Sequence, residues 1–155
     1  MRSGGSAAGP RREVPEQLRV LADTNVFVAA VTSREGVSAR LLIAARAGRC
    51  RLIVSPKLLE ELETVLARAK FRRYVSAEDA RRYVAMVREL AEVVSDPPVS
   101  AARLTPDPDD DYLIALARAA AADVLVSGDG HLTGLEHPSP VVKTPRELLA
   151  QIGDA

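Results

Sequence analysis

Tryptophan is absent from the 155 residues, and there are only two phenylalanines and three tyrosines. The core must therefore be drawn from Ala, Leu and Val, a mix that suits an α/β domain. One cysteine, Cys50, excludes an internal disulfide and any cysteine zinc set. No nearby His or Asp is placed to activate it, so it reads as a small buried or edge residue. The two histidines, His131 and His137, are too scattered for a zinc pair and read as surface or turn residues. Charge of one sign is also missing, because 21 basic residues balance 21 acidic ones. No global field draws the chain onto nucleic acid, and any such binding has to come from a local patch. The basic residues are mostly Arg, whose planar fork suits phosphate better than Lys does. No apolar run approaches a membrane span or the core of a signal peptide. A cytoplasmic protein without membrane attachment is the expectation.

The length is that of a single domain able to build a substantial core. Residues 1–17, rich in Gly, Ser, Pro and charge, read as a flexible tail. Residues 18–152 read as one domain in which strands alternate with helices. Strands are expected at 18–23, 51–54, 92–94, within ADVLVS at 122–127, and at 140–143. Helices are expected at 37–48, ending at Gly48, from Ser55-Pro56 through LLEELETVLARA, from Ser76, at about 109–122, and from Thr144 onward. Ser55 and Thr144 are good N-caps, each followed by Pro at the first helical position. Asp79, three residues after Ser76, makes a weak capping box. Such alternation implies an α/β fold of three layers, with a mostly parallel central sheet and helices on both faces.

What the chain does have is acid in telling places. Asp23 closes the apolar run LRVLAD and is followed by Thr24 and Asn25. Farther on come Glu61, the cluster Asp107, Asp109, Asp110 and Asp111, and Asp129 after the strand ADVLVS. Active sites of parallel sheets form outside the carboxyl ends of the strands. Asp23, Asp129 and the acidic helix start all fall at that edge. Gathered carboxylates repel one another unless a cation holds them, and an all-oxygen set suits Mg²⁺ or Mn²⁺. Each residue also has an ordinary explanation: an Asp after a strand is commonly a helix cap or a turn former. Favourable placement against a helix dipole explains one or two carboxylates, but not four within five residues. Asp110 precedes the buried stripe Leu113, Ile114 and Ala117 at i+3, i+4 and i+7, whereas Asp111 points about a quarter turn away. In the helix after Ser55, Glu61 and Glu63 flank the buried stripe and Glu60 lies opposite it. Periodicity does not choose between Glu61 and Glu63.

DTNVF, VSPKLLEEL, DPDDDYLIALA and ADVLVSGD, in that order, resemble the PIN domain family. The likeness is to its bacterial branch of VapC-like ribonucleases, the toxin components of toxin–antitoxin pairs, and spans roughly residues 18–150. The resemblance implies a metal-dependent endoribonuclease with four acidic site residues. By position these are Asp23, Glu61, Asp110 or Asp111, and Asp129, with Thr24, Asn25 and Ser127 bracing them. It also implies an RNA substrate, a cognate antitoxin and a homo-oligomer, expected to be a dimer. Asp23 and Asp110 would be direct metal ligands, Asp129 a ligand directly or through water, and Glu61 a ligand or water orienter. Lys70, Arg72 and Arg73, with Phe71 and Tyr74 for stacking, are the candidate RNA contacts. Their ordinary reading is a basic helix end favoured by its dipole, with Phe71 in the core. Two other classes remain in view. A phosphoacceptor receiver module would use Ser127 and Lys143, but the chain lacks its acidic pair after the first strand. A non-catalytic PIN-fold binding protein would have no reason to keep mutually repelling carboxylates.

Overall fold

The computed structural model describes residues 17–98, 107–128 and 140–153. Apart from Gln17, the expected tail lies outside them, as do Asp129, His131 and His137. Among the described residues five strands form the sheet: β1 (Arg19–Ala22), β2 (Arg51–Val54), β3 (Glu92–Val93), β4 (Val124–Val126) and β5 (Val141–Lys143). Their order is β3-β2-β1-β4-β5, and every neighbouring pair is parallel. Among the described residues, six α-helices connect or follow them: α1 (Thr24–Thr32), α2 (Val37–Arg46), α3 (Pro56–Leu66), α4 (Ala77–Leu90), α5 (Pro108–Ala119) and α6 (Pro145–Ile152).

Side chains alternate across a strand with a period of two, and here both alternating sets are apolar. Val20, Ala22, Leu52, Val54, Val124 and Val126 face one core with α1, α2, α3, α4 and α6. Leu21, Ile53 and Leu125 face the other, against Leu113, Ile114, Leu116 and Ala117 of α5. A sheet covered on both faces explains why β1, β2 and β4 read as unbroken apolar runs. One face of α4 packs against the rest of the chain. Val84 and Val87 are buried, and the Tyr83 hydroxyl donates to the Phe27 carbonyl at 2.6 Å. Cys50 is 3% exposed, and burial pushes its thiol up to about 11, so it is inert at neutral pH.

The strand order bears directly on the receiver alternative. A receiver of the flavodoxin type runs 2-1-3-4-5, whereas here β3 lies on the outer edge beyond β2. The receiver reading is therefore set aside. Some boundaries also differ from expectation. Residues 24–32, to which the sequence reading gave no element, form α1, and α3 ends at Leu66 rather than running to the basic segment. Beyond it, Ala69–Phe71 forms a single 3₁₀ turn.

Candidate functional site

In the order β3-β2-β1-β4-β5, the chain moves outward in one direction through β2 and β3, then returns to the other side of β1 with β4. The connections on either side of the β1–β4 junction leave in opposite directions, opening a crevice at the carboxyl edge. Asp23 follows β1 and Ser127 follows β4, so both stand at its mouth.

Asp23 is held firmly. Its backbone N–H continues the ladder to Val126, and its Oδ1 accepts from the Val26 N–H at 3.2 Å, making it the N-cap of α1. Its Oδ2 accepts from the Ser127 hydroxyl at 2.7 Å. Ser127 is fully buried and fixed in turn by β5, since its N–H donates to the Lys143 carbonyl. A carboxylate has about four lone-pair positions, more than a helix cap uses. Thr24, the next residue, turns its hydroxyl to Glu61 Oε1 at 2.6 Å. Of the glutamates that periodicity left open, Glu61 is therefore the one joined to the β1 end. Asn25 is exposed.

Asp110 is 5% exposed on the first turn of α5, whereas Asp111 is only partly buried. That turn sits at the same edge, because Tyr112 places its hydroxyl 2.8 Å from Ser55 Oγ at the end of β2. Asp23 and Asp110 are thus two buried acids, each beside a helix N-terminus whose dipole favours negative charge. Burying ionised carboxylates costs several kcal/mol apiece unless compensated, and helix ends supply only part of that. The all-oxygen donor set fits a hard divalent cation. Among the described residues no three ligating side chains gather into a cage, and Asp129 lies outside the described residues.

A second polar group borders the crevice, and the motif reading did not foresee it. Tyr112 donates to Asp96 Oδ1, and Asp96 Oδ2 accepts the Lys57 N–H of the first turn of α3 at 3.0 Å. Lys57 Nζ stands 4.0 Å from the centre of the Tyr112 ring. Burial works to raise the Asp96 carboxyl, but hydrogen bonds from Ser55, Tyr112 and the Lys57 N–H together hold it below its ordinary value. Burial first, then the bond to Asp96, pushes the Tyr112 phenol far up, with Glu61 adding to the effect from nearby and Ser55 opposing it. Tyr112 is therefore a donor at neutral pH. A sequence signal for this group existed in the Ser55 cap, but nothing in the spacing linked it to Asp96 or Tyr112.

The candidate RNA contacts lie beyond the far end of α3, away from its start at the crevice. Lys70 and Arg73 are exposed, and Arg73 stacks near Tyr74. Arg72 turns inward and donates to the Leu66 carbonyl, while Phe71 packs partly against the core.

A parallel α/β domain with buried carboxylates at its topological switch point is the class that the fold and site define. The chain belongs to the PIN domain family, whose model matches residues 19–131. PIN domains are in general nucleases, and membership supports a nuclease-type role for this chain. No curated protein sequence matches it significantly. Several solved structures do resemble it. PAE2754 from Pyrobaculum aerophilum superposes with a TM-score of 0.63 at 17% identity, over 87% of this chain and 89% of that one. VapBC2 from Rickettsia felis, solved with a DNA fragment from their promoter, gives 0.59 at 13% identity, over 82% and 98%. VapC20 of Mycobacterium tuberculosis, a Sarcin-Ricin loop cleaving toxin, gives 0.51 at 17%, over 72% and 90%. At such identities the likeness establishes the fold. Among the described residues, no helix is long and apolar enough to cross a membrane.

Proposed function

We propose that this chain is a metal-dependent endoribonuclease that hydrolyses RNA phosphodiester bonds with a carboxylate-bound Mg²⁺ or Mn²⁺. The observation that carries the reading is the pair of buried carboxylates, Asp23 and Asp110, at the switch-point edge, with Glu61 tethered beside them through Thr24. Asp23 and Asp110 are the proposed direct ligands. Asp129 and Glu61 complete the acidic set, with Asp111 as the substitute for Asp110. When bound, the cation would offset the carboxylate charge, activate a water for in-line attack and stabilise the leaving oxygen. The chain's own part is to hold the ligands rigid. Ser127 fixes one oxygen of Asp23 and the Val26 N–H the other, while Thr24 aims Glu61. Lys70 and Arg73 are proposed to hold the RNA backbone at a distance from the scissile bond, with Arg72 shaping their turn.

The partners follow as part of the same proposal. One solved neighbour is VapBC2 and another is a Sarcin-Ricin loop cleaving toxin. Carried over to this chain, they favour an RNA target and a cognate antitoxin; a homodimer and a place in the cytoplasm belong to the same proposal.

The test is cleavage of RNA by the purified full chain with Mg²⁺ or Mn²⁺, beside the variants Asp23→Asn and Asp110→Asn. Cleavage is expected to fall by at least about a hundredfold in each variant and to stop with EDTA. Activity that survives chelation, or persists in both variants, overturns the proposal. If the wild-type chain binds RNA but never cuts it, the non-catalytic alternative replaces it.

A further inference from the structure

The cluster of Ser55, Lys57, Asp96 and Tyr112 ties together four parts of the chain that meet at the carboxyl edge. Ser55 ends β2 and caps α3, accepting the Leu58 N–H at 3.2 Å. Asp96 belongs to the segment after β3 and receives the Lys57 N–H. Tyr112 comes from the second turn of α5 and reaches both Ser55 and Asp96. Ser55 Oγ lies 2.8 Å from Tyr112 Oη, and its one proton faces both the phenol oxygen and the Asp96 carboxylate. Lys57 also sets its ammonium over the face of the Tyr112 ring.

Tyr112 lies two positions after Asp110, which places them about 200° apart around the helix axis. The apolar stripe on Asp110's own face, Leu113, Ile114 and Ala117, packs on the sheet without direction, because apolar contacts do not specify a small rotation. A hydrogen bond does. With side-chain atoms about 5–6 Å from the axis, a roll of about 10° moves a carboxylate oxygen by about 1 Å. Displacements of that size are what ligand sites fail to tolerate.

We propose that Tyr112, gripped by Asp96 and Ser55, is a positioning residue that sets the roll of α5 and thereby aims Asp110 into the metal site. The proposal rests on the metal-nuclease reading above. Tyr112 makes no bond to the ion; it acts through the helix. Asp96 has a second duty, because it holds the N-terminal turn of α3 and α5 to a single carboxylate. The spacing between the Glu61-bearing and Asp110-bearing helices is therefore fixed by the same group.

Calorimetric titration of Mn²⁺ into the full chain separates the outcomes, with wild type compared to Tyr112→Phe, Asp96→Asn and Asp23→Asn. Tyr112→Phe keeps the ring and its packing, and Asp96→Asn keeps the size. Both are expected to weaken Mn²⁺ binding about tenfold, the low end for groups that orient ligands. RNA cleavage in both should recover most of the wild-type rate at saturating Mn²⁺, so the loss appears in metal affinity rather than turnover. Denaturant midpoints are measured alongside. Unchanged Mn²⁺ affinity in Tyr112→Phe, or a loss that only parallels a loss of folding, overturns the positioning role. In either case Asp23→Asn still abolishes binding and the metal reading stands. If the wild-type chain itself takes up no Mn²⁺, the metal reading falls and the positioning role falls with it.

Discussion

Asp23 performs two tasks with two oxygens, and substitution can pull them apart. Its Oδ1 caps α1, and its Oδ2 meets Ser127 at the crevice. Asn caps a helix about as well as Asp, whereas Ala does not cap at all. Asp23→Ala is expected to lower the unfolding free energy by about 1–2 kcal/mol. Asp23→Asn should unfold at the same or a higher denaturant concentration, since it keeps the cap and removes a buried charge. Yet both should be equally inactive on RNA. Urea titrations beside cleavage assays check this, and a stable, active Asp23→Asn chain would leave Asp23 as nothing more than a cap. The sequence had offered cap and ligand as competing explanations. At this residue they are compatible, because a carboxylate has more acceptor positions than a cap consumes.

At the scale of elements, helix starts were the most legible feature. Ser55, Ser76 and Thr144 all cap as their spacing indicated, and Thr144 with Glu147 forms a reciprocal capping box. Thr144→Ala is expected to cost about 1 kcal/mol, read as a lower thermal midpoint, since α6 buries Leu148 and Leu149. What the sequence hid was α1. Its residues TNVFVAAVT are mostly β-branched or small, with weak helix propensity, and apolar on several sides. With Val26, Phe27, Val28 and Ala30 all buried, no polar face marks the 3.6-residue period. Burial overrides propensity there, and the cap that signals the start is the same Asp23 that draws attention as a ligand. The break after α3 was equally quiet. No Pro or Gly ends that helix, and Arg72, which turns back to the Leu66 carbonyl, reads in sequence as one more basic residue.

Across the whole molecule the two edges of the sheet carry opposite work. The carboxyl edge holds the crevice, while the amino edge is sewn together by charge. Arg19 of β1 and Arg51 of β2 both reach Glu92 of β3, at 2.8 and 3.2 Å. Hydrogen bonds from Arg19 and then Arg51 hold the Glu92 carboxyl below its ordinary value, more than burial raises it. A carboxyl whose pKa is lower in the folded than in the unfolded chain stabilises the fold above the unfolded value. That contribution fades as pH falls through the folded one. Glu92→Gln should therefore lower stability at neutral pH by a small amount, as partly exposed ion pairs do. The difference from wild type should shrink as pH falls below the ordinary carboxyl value and vanish once folded Glu92 is itself protonated. Urea midpoints measured across that range check it. A difference that stays constant with pH would mean Glu92 acts through packing instead. The layered fold itself was legible because β1, β2 and β4 are apolar on both faces. The strand order was not, because parallel pairing is decided by contacts between distant segments that no local pattern records.

The pairing of β1 with β4 has a consequence in time as well as in space. Asp23 and Ser127 meet across a separation of 104 residues, and Asp110 also arrives from the later half of the chain. Lysine 143 then supplies the carbonyl that fixes Ser127. A chain emerging from the ribosome can complete β1, α1 and the Thr24–Glu61 tether early and still have no crevice. Whatever chemistry the site performs stays disarmed until β4 and β5 have been made and have docked.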